Sequence, residues 1–114
     1  MSQLQQKVDQ VVAILTDTVR DYAPVAFANS LGAEDMVLTD IIERNRLAIE
    51  MFSLDTGRLP QETYDLMQIV RERYQTPLHI YFPNTELIEN YVAKHGINGF
   101  YQSIELRKMC CHIR

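Results

Sequence analysis

An open α/β fold is predicted by three features of this sequence: short apolar runs without polar alternation, amphipathic stretches between them, and breaker residues at the junctions. The elements run helix, then strand and helix three times over. Helices of about 10–15 residues between short buried strands imply right-handed crossovers and a parallel sheet with helices on both faces.

Leu4, Val8, Val11, Val12, Leu15 and Val19 recur at spacings of three and four, the mark of one helix face, and the helix runs to about Arg20 and stops before Pro24. Val25-Ala26-Phe27-Ala28 reads as a strand covered on both faces, and Asn29-Ser30-Leu31-Gly32 as the turn after it. Val37, Leu38, Ile41 and Ile42 continue helical spacing from Ala33 to about Asn45. Residues 47–54 form a second buried strand that closes on Asp55-Thr56-Gly57. Pro60 suits the first turn of the next helix, whose face carries Thr63, Met67, Val70 and Tyr74 before the stop at Pro77. Residues 78–82 form a third strand. Asn84 or Thr85 then caps a helix carrying Leu87, Ile88, Tyr91 and Val92 to His95-Gly96.

At 114 residues with 46% hydrophobic content, the chain fits one small domain with a single core. Its parts are a helical lead-in (1–23), a βαβαβα body (24–96) and a segment of different character (97–114) that is basic at its end and expected to fray. Eleven basic against 15 acidic residues give a net charge of −4, a field that repels nucleic acid and anionic membrane, so any anion site is local. No apolar run is long enough to span a bilayer, and Met1-Ser2-Gln3-Leu4 lacks a secretory pattern, which places the chain in the cytoplasm. Cys110 and Cys111 are adjacent, a spacing that suits metal ligation or thiol chemistry better than a structural disulfide.

In an open α/β sheet the ligand crevice lies beyond the carboxyl ends of the strands. The loops expected there are 29–35, 55–58 and 83–85. In the first, Ser30 offers a hydroxyl, Gly32 allows close backbone approach or positive φ, and the N–H groups opening the next helix can hold an anion. The other reading is a plain strand-to-helix turn, with Glu34 and Asp35 complementing the helix dipole. The loop matches neither the dinucleotide glycine fingerprint nor the triphosphate-loop pattern. In the second, Asp55 can accept from ribose or base donors while Gly57 opens the turn; Arg58 reads as solvated. His79 reads as a core or edge histidine and His95 as a helix-end residue. Arg107, Lys108 and Arg114 around the cysteine pair favour thiolate and suit an iron–sulfur cluster. The adjacent thiols point about 100° apart on a regular helix, and a Cys₄ site needs two more.

Ser30-Leu31-Gly32-Ala33-Glu34-Asp35, Leu54-Asp55-Thr56-Gly57-Arg58-Leu59 and Arg107-Lys108-Met109-Cys110-Cys111-His112-Ile113-Arg114 occur in that order. Together they make the chain, from about Val25 onward, resemble the first half of the phosphoadenylyl-sulfate/adenylyl-sulfate reductase family. The resemblance implies a truncated Rossmann-like fold of the adenine nucleotide alpha-hydrolase type and, in the complete enzyme, thioredoxin-dependent reduction of adenylyl sulfate to sulfite and AMP in cytoplasmic sulfate assimilation. It assigns Ser30 and Gly32 to the phosphosulfate, Leu54, Asp55, Thr56 and Gly57 to the adenosine, and Lys108 to the space between substrate and cluster. Cys110 and Cys111 become two of four ligands to a [4Fe–4S] cluster that this chain alone is not expected to hold. The family's later Cys-x-x-Cys pair and nucleophilic cysteine are missing, so no catalytic residue is expected here, and a fragment or a partner chain supplying the remainder both fit. A homo-oligomer in which two chains each donate a cysteine pair also fits the ligand count. The readings that compete are a noncatalytic adenine-nucleotide module and, more weakly, an ATP pyrophosphatase, whose paired glycines Ser30-Leu31-Gly32-Ala33 lacks.

Overall fold

The computed structural model describes residues 2–114. Ser2 caps the first helix, α1 (Gln3–Tyr22), by accepting the Gln5 N–H at 3.1 Å. Of the expected apolar stripe, Val8, Val11, Val12, Leu15 and Val19 are half-buried and Leu4 is exposed. There follow β1 (Val25–Ala28), α2 (Ala33–Arg44), β2 (Ile49–Leu54), α3 (Gln61–Arg73), β3 (Leu78–Tyr81) and α4 (Thr85–His95). The three strands form one parallel sheet in the order β1-β2-β3, with Val25 beside Ile49 and Phe27 beside Met51. The α/β fold expected from the alternation is the fold observed.

The chain divides into two compact units. The first comprises Met1–Ser53 and Pro60–His79; the second comprises Leu54–Leu59 and Ile80–Arg114. In the first, the core is built by Ile41 and Ile42 of α2, Ile49 and Met51 of β2, Met67 and Val70 of α3 and Leu78 of β3. Met67 and Val70 sit three apart on the face read from the sequence, and α1 packs against α2 and β1. Burial alternates along β1 and β2: Ile49, Met51 and Ser53 are buried, whereas Ala26, Ala28 and Glu50 are exposed, as is His79. This corrects the expectation of a first strand covered on both faces. An uncharged run such as Val-Ala-Phe-Ala shows compatibility with burial; whether anything covers each face is decided elsewhere in the molecule.

In the second unit Asn84 caps α4 by accepting the Leu87 N–H at 3.1 Å, and Gly96 at φ 84° ends it. The closing segment is a second correction. In place of a frayed tail it forms a short 3-10 turn (Gly99–Tyr101) and a ten-residue helix, α5 (Ile104–Ile113), capped by the Ser103 hydroxyl on the Leu106 N–H. Leu106, Cys110 and Ile113, at spacings of four and three, form its covered side. Tyr91 of α4, 4% exposed, donates its hydroxyl to the Leu106 carbonyl at 2.6 Å. Its ring lies 5.1 Å from that of His95.

Candidate functional site

The loop after β1 is shaped by a buried polar network within the first unit. Asn29, 3% exposed, donates its Nδ2 to the Thr39 hydroxyl at 2.8 Å and accepts the Leu31 N–H on Oδ1 at 2.9 Å. Thr39, fully buried on α2, donates in turn to the Asp35 carbonyl at 2.7 Å. Asp35 then closes the loop: its carboxylate accepts the Ser30 N–H at 2.7 Å. The Ser30 hydroxyl and then its backbone N–H hold the Asp35 carboxyl below the ordinary aspartate range. Gly32 caps α2 without a side-chain acceptor, so the N–H groups of the first helical turn have no capping partner.

Positive φ falls on Leu31, at 65°, while Gly32 is extended at φ −68°. Positive φ is therefore not the use of this glycine; a Cβ at Gly32 would stand 3.3 Å from the Ser30 hydroxyl. The Gly32 N–H donates to that oxygen at 3.2 Å. Ser30 and Gly32 are both exposed.

The second candidate region lies within the second unit. Leu54, the last residue of β2, is 54% exposed. Asp55 donates its N–H to the Tyr81 carbonyl at 2.9 Å and accepts the Gly57 N–H on Oδ1 at 2.7 Å. Thr56 Oγ1 accepts the Arg58 N–H at 3.2 Å. Gly57, at φ 81°, takes the left-handed conformation that the turn requires. Two arginines hold this turn. Arg58 reaches Asn98 Oδ1 at 3.0 Å and the Ile97 carbonyl at 3.4 Å, and its guanidinium lies 4.7 Å from the centre of the Phe100 ring. Expected to be solvated, it is exposed but engaged. Arg114 donates to the Thr56 carbonyl at 2.8 Å.

A concavity of about 350 Å³ opens beside this turn, lined among others by Asp55, Gly57, Phe82, Ile88, Ile97 and Arg114. Its apolar wall and few polar groups, at a size in the range of small-molecule sites, suit a flat heteroaromatic ring with a polar substituent. A larger groove of about 470 Å³, lined by Val8, Met36, Asp40 and Tyr74, holds none of the expected site residues.

Lys108, Cys110 and Cys111 lie on α5 in the same unit. Lys108 and Cys111 are exposed and Cys110 is buried. Among the described residues no three His, Cys, Asp or Glu side chains converge as a metal site would require. The two thiols are of the right chemical type for an iron–sulfur cluster but half the number, so the chain's own residues do not complete such a site. No helix among the described residues is long and apolar enough to cross a membrane.

Sequence reasoning missed Thr39 and Tyr91 as site-shaping residues, read Asn29 only as part of the turn, and read Arg114 only as a cation beside the cysteines. Asn29 carried a signal, since asparagine directly after a strand often bonds the backbone two residues on. The links of Thr39 to Asn29, Tyr91 to Leu106 and Arg114 to Thr56 span 10, 15 and 58 residues.

Residues 24–114 match the phosphoadenosine phosphosulfate reductase domain. A protein of Allochromatium vinosum named adenosine 5'-phosphosulfate reductase is 47% identical over 103 residues, which are 90% of this chain and 40% of that protein. The protein of that name from Burkholderia cepacia is 46% identical over 112 residues, covering 98% of this chain and 45% of its own length. One from Neisseria meningitidis serogroup B is 38% identical over 112 residues. The chain thus spans less than half the length of these curated relatives.

Proposed function

Because the chain belongs to the phosphoadenosine phosphosulfate reductase family, we propose that it is the nucleotide-binding portion of an adenosine 5'-phosphosulfate reductase. The observation that carries this is the 47% identity to a protein of that name across nine-tenths of the chain. In this reading the concavity at the Asp55–Gly57 turn takes the adenosine, with Leu54 and Asp55 contacting the nucleoside and Thr56 and Gly57 shaping the site. Ser30, Gly32 and the opening turn of α2 take the phosphosulfate, where N–H groups without a side-chain cap favour an anion.

The chemistry of the complete enzyme is a thiolate attack on the sulfate sulfur. A sulfur–sulfur bond forms, the sulfur–oxygen bond breaks, and AMP leaves with that oxygen. Thioredoxin's dithiol then supplies two electrons, releasing sulfite and closing as a disulfide. The attacking thiol lies outside this sequence, whose only cysteines are Cys110 and Cys111. In the complete enzyme those two would be ligands to a [4Fe–4S] cluster, with Lys108 a cation serving both cluster and substrate and offsetting their negative charge. The reaction belongs to sulfate assimilation in the cytoplasm.

The test is a chimera in which this chain replaces the matching 103-residue stretch of the Allochromatium vinosum relative. Sulfite release from adenylyl sulfate with reduced thioredoxin is the expected result. A folded chimera that binds AMP yet releases no sulfite would refute the reductase reading and leave the noncatalytic nucleotide module.

A further inference from the structure

Arg114 bonds in two directions at once. Its guanidinium donates to the Thr56 carbonyl at 2.8 Å, and its backbone N–H donates to the Cys110 carbonyl at 2.9 Å. The first partner lies in the turn whose shape depends on the left-handed Gly57; the second is the buried member of the cysteine pair. We propose that Arg114 is a positioning residue that couples the Asp55-Thr56-Gly57 turn to the Cys110–Cys111 end of α5, so that a change at either is felt at the other.

Three features make this link a short mechanical path. The Thr56–Arg114 bond is partly buried and charge-assisted, and such bonds are stronger and more directional than neutral ones. Arg114 also lies against the turn itself, its Nη1 within 3.7 Å of the place a Cβ on Gly57 would occupy. The other half of α5 is fixed, because Tyr91 holds the Leu106 carbonyl. Motion of the cysteine end is therefore passed to the turn rather than dissipated along the helix. By linkage the coupling is reciprocal: whatever occupies the turn biases the thiols, and whatever engages the thiols biases the turn. This goes beyond the reductase reading and holds for the chain without nucleotide.

The experiment uses the 114-residue chain labelled with ¹⁵N, and iodoacetamide as the probe at the exposed Cys111. Carbamidomethylation is expected to shift the Gly57 and Arg58 amide resonances. Arg114→Met, which keeps the length and removes the donor, should abolish those shifts and speed exchange of the Gly57 amide by about tenfold, the loss of one charge-assisted bond. Arg114→Lys should restore part of both, because an ammonium still donates to a carbonyl; simple loss of packing would not be rescued in this way. Arg107→Gln, an exposed change on the same helix, should leave the shifts intact. Unmoved Gly57 and Arg58 resonances in the unsubstituted chain, or equal shifts in Arg114→Met, would overturn the proposal. Should Arg114→Met melt α5, the unsubstituted chain decides: a guanidinium rotating freely before alkylation overturns the link, and one held until alkylation supports it.

Discussion

Asn29 and Thr39, ten residues apart, meet through one hydrogen bond of 2.8 Å with neither side chain more than 3% exposed. The loop carrying Ser30 and Gly32 inherits its shape from that pair, because Asn29 fixes Leu31 from one side and Thr39 fixes the Asp35 backbone from the other. Thr39→Val preserves the shape of the side chain and leaves Asn29 Nδ2 buried without an acceptor. The expected cost is about 1–3 kcal/mol of unfolding free energy. Urea denaturation reads the loss, and faster exchange of the Leu31 amide should accompany it.

Gly99 stands where a Cβ would come within 2.9 Å of the His95 Cβ, an atom fixed to its backbone. Gly99→Ala should therefore separate α4 from the 3-10 turn and lower stability by about 1–3 kcal/mol. Gly96→Ala is the comparison, since nothing lies within 4 Å of its Cβ and only the positive φ of 84° is strained. That change is costly for a different reason, because φ 84° with ψ 162° is a backbone region essentially reserved for glycine, and it should lower stability by about 1–3 kcal/mol with no steric clash. Thermal unfolding measures both losses, and the Tyr91 ring signals should shift only in Gly99→Ala, whose added Cβ lies beside the Tyr91 hydroxyl that holds Leu106 at 2.6 Å.

Glu43 accepts the Thr76 hydroxyl, the Thr76 N–H at 3.0 Å and the Gln75 N–H at 3.0 Å. These donors, the Thr76 hydroxyl first, hold its carboxyl below the ordinary glutamate range. A folded-state pKa below the unfolded one contributes stability that is fully present above the unfolded value and is lost as pH falls through the folded value. Denaturation midpoints between about pH 3 and pH 6 should fall more steeply on the acid side in the unsubstituted chain than in Glu43→Gln. Parallel profiles would show that the contact is not maintained in solution.

The Asp35 carboxylate occupies the Ser30 N–H, a donor that the proposed function assigns to an incoming anion. Asp35→Ala should free that donor and remove a like charge, tightening inorganic sulfate binding at the loop by about fivefold. A sulfate titration followed at the Ser30 and Gly32 amides measures it. Weaker or unchanged binding in the variant would argue against this loop as the anion cradle.

Much of the architecture was legible because it is set by local chemistry. The helix from Thr85 to His95 follows from Asn84 before it and Gly96 after it, and both ends are where those residues place them. The helix at Ile104–Ile113 was harder to read. Its covered side is only Leu106, Cys110 and Ile113, and the intervening Arg107, Lys108 and His112 give that stretch the composition of a solvated tail. The exposure of Ala26 and Ala28 was not legible, since strand composition does not state what lies over each face. In the site, Gly57 at positive φ follows from its place in a strand-end turn. The engagements of Arg58 with Asn98 and of Arg114 with Thr56 span 40 and 58 residues, and no local pattern encodes them.

Leu31 adopts φ 65°, which costs a residue with a Cβ roughly 1–2 kcal/mol, and its side chain is 7% exposed. Burial of a leucine side chain returns about 1.5–3 kcal/mol, so the unfavourable backbone persists only while the core is there to receive it. The Ser30–Gly32 cradle therefore cannot be preformed in the unfolded chain. It comes into being in the same cooperative step that assembles Ile42, Met51 and Val70, the largest fully buried apolar side chains of the first unit. An anion held by this loop binds the folded ensemble alone, and its binding free energy adds to the stability of the core in proportion to the logarithm of its concentration.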